Sequence, residues 1–112
     1  MKMIMALIRN DKRGAVQEAL LNAGLTGFTM SSTMGLGEMT GMAEPSGRAG
    51  MVPHIRVEVG VPDNWVDYTV DILRNASSTG QAGDGLIFVY TLDRAVKIRS
   101  GEEGERVLNL KP

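Results

Sequence analysis

Cysteine is absent from the 112 residues, and with it go disulfides, thiolate metal sites and cysteine nucleophiles. That composition suits the cytoplasm, where the chain is expected to work. Histidine occurs once, at His54, so no histidine-rich metal motif can be written. No apolar run approaches the roughly 18 residues of a membrane span, and the first run soon meets Arg9, Asn10 and Asp11. It reads as a strand and not as a leader or a membrane-inserting segment. Neither sign of charge dominates. A net charge of −1 lacks the basic excess of a general nucleic-acid binder. Catalytic signatures are missing as well: there is no Gly-x-Ser-x-Gly elbow, and Gly83-Asp84-Gly85 lacks the Gly-Lys-Ser/Thr ending of a Walker loop. Glu102 and Glu103 are adjacent and read as solvated carboxylates. The chain is read as no enzyme.

What is present fits one domain over residues 1–112, since 43% hydrophobic content at this length supports a single core and little more. Residues Lys2 to Arg9 are apolar almost throughout, the pattern of a central strand buried on both faces. Asp11 is placed to cap a helix reaching Ala23, with Val16, Leu20 and Ala23 on its inner face and Gly24 to end it. Phe28 to Leu36 alternates, with Phe28, Met30, Ser32, Met34 and Leu36 on one side. From Gly37 to Pro53 periodicity gives way to Gly, Pro, Ser, Glu and Met, a loop of a length that is usually functional or disordered. His54 to Val61 alternates again, Ile55, Val57, Val59 and Val61 facing one way. Pro62 closes that strand, and Asp63 is placed to cap a helix with Val66, Val70 and Leu73 inward and a packed Trp65. Leu86 to Leu92 is the fourth strand, and the tail over residues 95–112 adds short edge strands or reaches a neighbour. Strand, helix, strand, strand, helix, strand is the ferredoxin-like α+β sandwich, an antiparallel sheet with both helices on one face. The other face needs a cover, which implies assembly with further copies.

The stretch Thr79 to Val89 organises the rest. Gly80, Gly83 and Gly85 permit positive φ and close approach, while Asp84 can fold its carboxylate onto nearby amides in the manner of an Asx turn. Such a loop exposes N–H donors to an anion or a nucleotide. Downstream, Lys97 and Arg99 are two apart, so on an extended strand they share a side and can clamp one anion.

The Thr-Gly-x-x-Gly-Asp-Gly-x-Ile-Phe-Val block at Thr79–Val89 and the Ala-Val-Lys-Ile-Arg-Ser-Gly-Glu-x-Gly block at Ala95–Gly104, with Gly35-x-Gly37 and Pro53 in weaker support, give this chain its resemblance to the PII signal-transduction proteins. The resemblance spans nearly the whole chain. It implies a homotrimer with sheets facing inward, an adenine nucleotide in each cleft between subunits, and a target enzyme or membrane transporter engaged by the loop, in nitrogen or related metabolic regulation. Carried over residue by residue, the nucleotide site is Gly27, Thr29, Gly37, Glu58, Gly83, Asp84 and Gly85, with Lys97 and Arg99 from the neighbouring subunit. The partner-binding loop, the family's T-loop, contains Glu38, Met39, Met42, Arg48 and Met51. It is a few residues shorter than usual and has no tyrosine, which excludes nucleotidylation there.

Four positions depart from the family pattern. Leu86 replaces the basic residue after Gly-Asp-Gly, and Glu38 replaces the basic residue after Gly37. Met39 stands where a glutamine helps hold magnesium and 2-oxoglutarate, and a thioether is a poor ligand for a hard cation. His54 replaces the lysine that pairs with a 2-oxoglutarate carboxylate. The expectation is that ADP, AMP or ATP alone binds better than magnesium-ATP with 2-oxoglutarate. A second expectation is a same-fold trimer without nucleotide, a structural or copper-responsive module. Its soft ligands would be Met39, Met42 and Met51 with His54, although methionine is more often an adaptable apolar contact.

Overall fold

The computed structural model describes residues 1–35, 51–108 and 110. Its elements are β1 (Lys2–Arg9), α1 (Arg13–Asn22), β2 (Phe28–Gly35), β3 (Val52–Val61), α2 (Val66–Ser77) and β4 (Leu86–Thr91). The four strands form one antiparallel sheet in the order β2-β3-β1-β4. This is the ferredoxin-like βαββαβ arrangement, with β1 central as its apolar run implies.

Period-two side chains set the inner face. Ile4, Ala6 and Ile8 of β1 lie opposite Val59, Val57 and Ile55 of β3, and all are buried beneath the helices. α1 contributes Val16 and Leu20, and α2 contributes Leu73. The expectation that β1 is buried on both faces fails within one protomer. Met3, Met5 and Leu7 are only half-buried, because helices cover one side of the sheet alone. By register their neighbours on β4 are Tyr90, Phe88 and Leu86, all exposed.

Neither expected aspartate cap forms. A 3₁₀ turn over Asn10–Lys12 precedes α1 and another over Asp63–Trp65 precedes α2, and no side-chain cap bond is made at either start. Each extra turn displaces the aspartate from the capping position. The Asp63 carboxylate instead accepts from the amino group of Met1 at 3.0 Å, which lowers its pKa. The end of α1 is as expected: Gly24 takes φ 85°, and its N–H and that of Leu25 donate to the Leu21 and Leu20 carbonyls. In α2 the buried set is Thr69, Leu73 and Ser77, with Val66 and Val70 partly covered. Both hydroxyls donate to the carbonyl four residues back, Thr69 to Trp65 and Ser77 to Leu73, so their burial leaves nothing unpaired.

β3 begins two residues earlier than the alternation implies. Val52 and Pro53 pair with Gly35 and Met34 of β2, beyond the last β1 partner of β3 at His54. On that side β3 has no neighbouring strand, so a proline without an N–H is accommodated. The tail forms a turn closed by a Val96–Glu103 bridge and a short 3₁₀ turn at Glu105–Val107, and Leu110 bridges back to Leu25.

Candidate functional site

The loop leading into β4 is fixed from within and from the neighbouring strands. Asp84 sits at its centre. Its carboxylate accepts from the Thr79 hydroxyl at 2.5 Å, from the Thr79 and Gly80 amides at 2.8 Å each, and from Arg9 Nε at 2.8 Å. The Thr79 hydroxyl first, then the Arg9 guanidinium, hold this carboxyl well below the usual carboxylate range. The expected Asx turn is corrected here: the side chain folds back onto residues four and five positions earlier, not forward. Two amides expected to face an anion are thereby committed to Asp84.

The loop's carbonyls are held as well. Arg9 donates to the Ala82 oxygen at 2.8 Å, and His54 Nε2 lies 3.2 Å from the Gly83 oxygen. Arg9 and His54 are cross-strand partners on β1 and β3, so adjacent strands grip consecutive carbonyls. Gly85 completes the seat at φ 105°, where a Cβ would fall 1.6 Å from the Leu7 carbonyl oxygen. Only glycine fits so close to another backbone. Beside this seat is a hollow of about 280 Å³, lined by Arg9, Asn10, Asp11, Val52, Pro53, His54 and Gly83. Leu86, exposed, follows at the start of β4.

Thr29 and Glu58 are direct cross-strand partners on the sheet face away from the helices, where Arg56 Nε pairs with Glu58 at 3.1 Å. Gly27 is exposed just before β2. This group lies toward the other end of β3 from His54, so one protomer does not bring it onto the glycine-rich loop.

Lys97 and Arg99 do not sit on an extended strand. Lys97 N–H donates to the Glu102 carbonyl and Gly101 N–H to the Lys97 carbonyl, both at 2.8 Å, with Gly101 at φ 76°. The glutamates and glycines of the Ser-Gly-Glu-Glu-Gly run close the chain into a turn, which Arg94 reinforces by an ion pair with Glu103. Lys97 stands at the base, Arg99 at the tip, and Ile98 between them is fully exposed. The turn follows the end of β4, where Leu92 N–H meets the Met1 carbonyl, whereas the glycine-rich loop meets the opposite end of β1.

Gly37, Glu38, Met39, Met42 and Arg48 lie outside the described residues. Met51 is exposed immediately before β3. Among the described residues no group of three or more His, Asp or Glu side chains is placed to hold a metal, and His54 turns Nε2 to a carbonyl. Arg9 and Thr79 are partners of Asp84 that the sequence reading missed. Thr79 carried a signal, a hydroxyl five residues before the aspartate; Arg9 looked like an ordinary strand end.

A family model described as nitrogen regulatory protein P-II matches residues 1–102. A nitrogen regulatory protein P-II of Haemophilus influenzae is 40% identical over 109 residues, covering 94% of this chain and 97% of the relative. That of Rhizobium etli is 37% identical over 112 residues, covering 96% and 100%. Nitrogen regulatory protein P-II 1 of Escherichia coli is 39% identical with the same coverage.

Proposed function

Because this chain belongs to the nitrogen regulatory protein P-II family, we propose that it is a homotrimeric regulatory sensor, binding an adenine nucleotide between subunits and signalling through residues 37–53. The observation that carries the reading is the Thr79–Gly85 loop. Its aspartate and two strand residues, Arg9 and His54, hold its backbone by hydrogen bonds. Glycine-rich backbone held in this way suits a phosphate-bearing ligand. Gly83 of the loop lines the same hollow as Val52 and Pro53, so a ligand there has a short path to the return of the 37–53 segment.

Lys97 and Arg99 enter from the next copy, as the turn's place at the far end of β4 favours. The Met3, Met5, Leu7, Leu86, Phe88 and Tyr90 face supplies an apolar surface for that copy. With Leu86 beside the loop in place of a cation, affinity rests on the nucleoside and inner phosphates. ADP, AMP or ATP is the ligand, with magnesium and 2-oxoglutarate dispensable. The output is a population shift at residues 37–53, read by a target enzyme or transporter in the cytoplasm. Nothing in the reading requires bond chemistry, so the protein acts by binding and is no enzyme.

The test is calorimetric titration of ADP, ATP and AMP into protein of known oligomeric state, with and without magnesium and 2-oxoglutarate. Saturable heat that is indifferent to 2-oxoglutarate is the expected result. Absence of heat with every nucleotide, alongside a rise in melting temperature with copper, would replace the reading with a metal-responsive module.

A further inference from the structure

His54 is one of three buried polar side chains among the described residues, at 3% exposure. The other two, Thr69 and Ser77, spend their hydroxyls on their own helix. The histidine ring reaches outward to two segments. Nε2 lies 3.2 Å from the carbonyl oxygen of Gly83 in the ligand loop, and Nδ1 lies 3.4 Å from that of Val52, the first residue of β3 after the 36–50 segment. Arg9, its cross-strand partner, also grips the loop but makes no bond to Val52 or Pro53 among those of the described residues. Of the two clasps, only the imidazole faces both the loop and the start of β3.

We propose that His54 is a positioning residue that transmits the state of the Gly83–Gly85 loop to the Val52–Pro53 start of β3, and thereby to the segment proposed to meet the target. The signalling use of this tie rests on the nucleotide reading given above; the tie itself does not. Both neighbours of the ring are acceptors. With its N–H on Nε2 the ring donates to Gly83, the nearer oxygen, and its Nδ1 edge lies against the Val52 carbonyl, so a displacement of the loop moves the ring and is felt at the start of β3. The charged groups around the ring are Arg9 of β1, paired with Asp84 of the loop, and Asp11 beyond β1. β2 presents the uncharged Thr33 across the register.

The experiment uses the full chain with methionine methyls labelled for NMR, Met51 reporting one residue before β3. ADP is titrated into the wild type, His54→Leu and His54→Gln, with binding heat followed in parallel. With each variant saturated by ADP, as its own binding heat shows, the expected result is a displaced Met51 resonance in the wild type, loss of that displacement in His54→Leu, and its recovery in His54→Gln, whose carboxamide supplies an N–H to Gly83. Retained displacement in His54→Leu overturns the proposal. If ADP gives no heat with the wild type, the nucleotide reading fails, and the tie is then read without ligand from amide exchange. His54→Leu should speed exchange at both Gly83–Gly85 and Val52–His54, and His54→Gln should restore protection in both. Unchanged exchange in either segment of His54→Leu, or a His54→Gln whose two segments exchange as fast as those of His54→Leu, sinks it; a merely structural histidine would alter the melting temperature without loosening and restoring these two segments together.

Discussion

Gly85 leaves no room for a side chain, because a Cβ would sit inside the contact radius of the Leu7 carbonyl oxygen at a φ of 105°. Gly85→Ala must move β1 or the loop as well as bear the positive φ, so a loss of at least about 2 kcal/mol is expected by urea unfolding. A midpoint equal to the wild type's would mean that the close approach is not maintained in solution. Asp84 yields a pH prediction. Its folded pKa is depressed by Thr79 and Arg9, so its contribution to stability is complete above the unfolded value of about 3.9. It is lost as pH falls through the still lower folded value. The amide resonances of Thr79 and Gly80 should stay unchanged from neutrality to about pH 4 and collapse only below it; collapse near pH 5 would contradict the bonding described. The sequence made Asp84 legible as a carboxylate that holds amides, since that capacity is local. Its partners were not: Arg9 is 75 residues away in sequence, and only the pairing of β1 with β4 brings it to the loop.

At the scale of elements, alternation and helical spacing carried the fold, because they report which face meets the core and need no knowledge of partners. The inward Ile55, Val57, Val59 and Val61 of β3 were readable for this reason, as was Gly24 at the end of α1. Gly24→Ala should cost about 1 to 2 kcal/mol in thermal or chemical unfolding, since its left-handed φ is unfavourable for alanine; an unchanged midpoint would show a frayed terminus. Boundaries were less legible. Asp11 and Asp63 have the residue type of caps, but a 3₁₀ turn intervenes at each site. The choice between a turn and a helix start depends on how the preceding strand delivers the chain. Lys97 and Arg99 misled similarly, since the apolar-basic alternation of Val96 to Arg99 imitates a strand while Gly101 and Gly104, both at positive φ, fold the segment into a turn.

For the whole molecule, the sheet face away from the helices is the largest unfinished feature. Phe88, 44% exposed, lies within its apolar patch and is the cross-strand partner of Met5. Phe88→Asp should convert the proposed trimer to monomers in sedimentation analysis, with the helix-facing core intact by circular dichroism; a monomeric wild type would remove the trimer from the proposal. The sequence disclosed that such a face exists, but not what covers it. One consequence follows from the placement of the glycine-rich loop and the Arg99 turn at opposite ends of β4. In the proposed assembly no single copy owns a complete cleft, so two defective genes can rescue one another. Co-expressed Gly85→Ala and Arg99→Ala chains, each silent alone in nucleotide titration, should form mixed assemblies in which an intact loop meets an intact turn and part of the binding returns. Silence of the mixed assemblies, shown by mass spectrometry to contain both chains, would place the loop and the turn in separate sites.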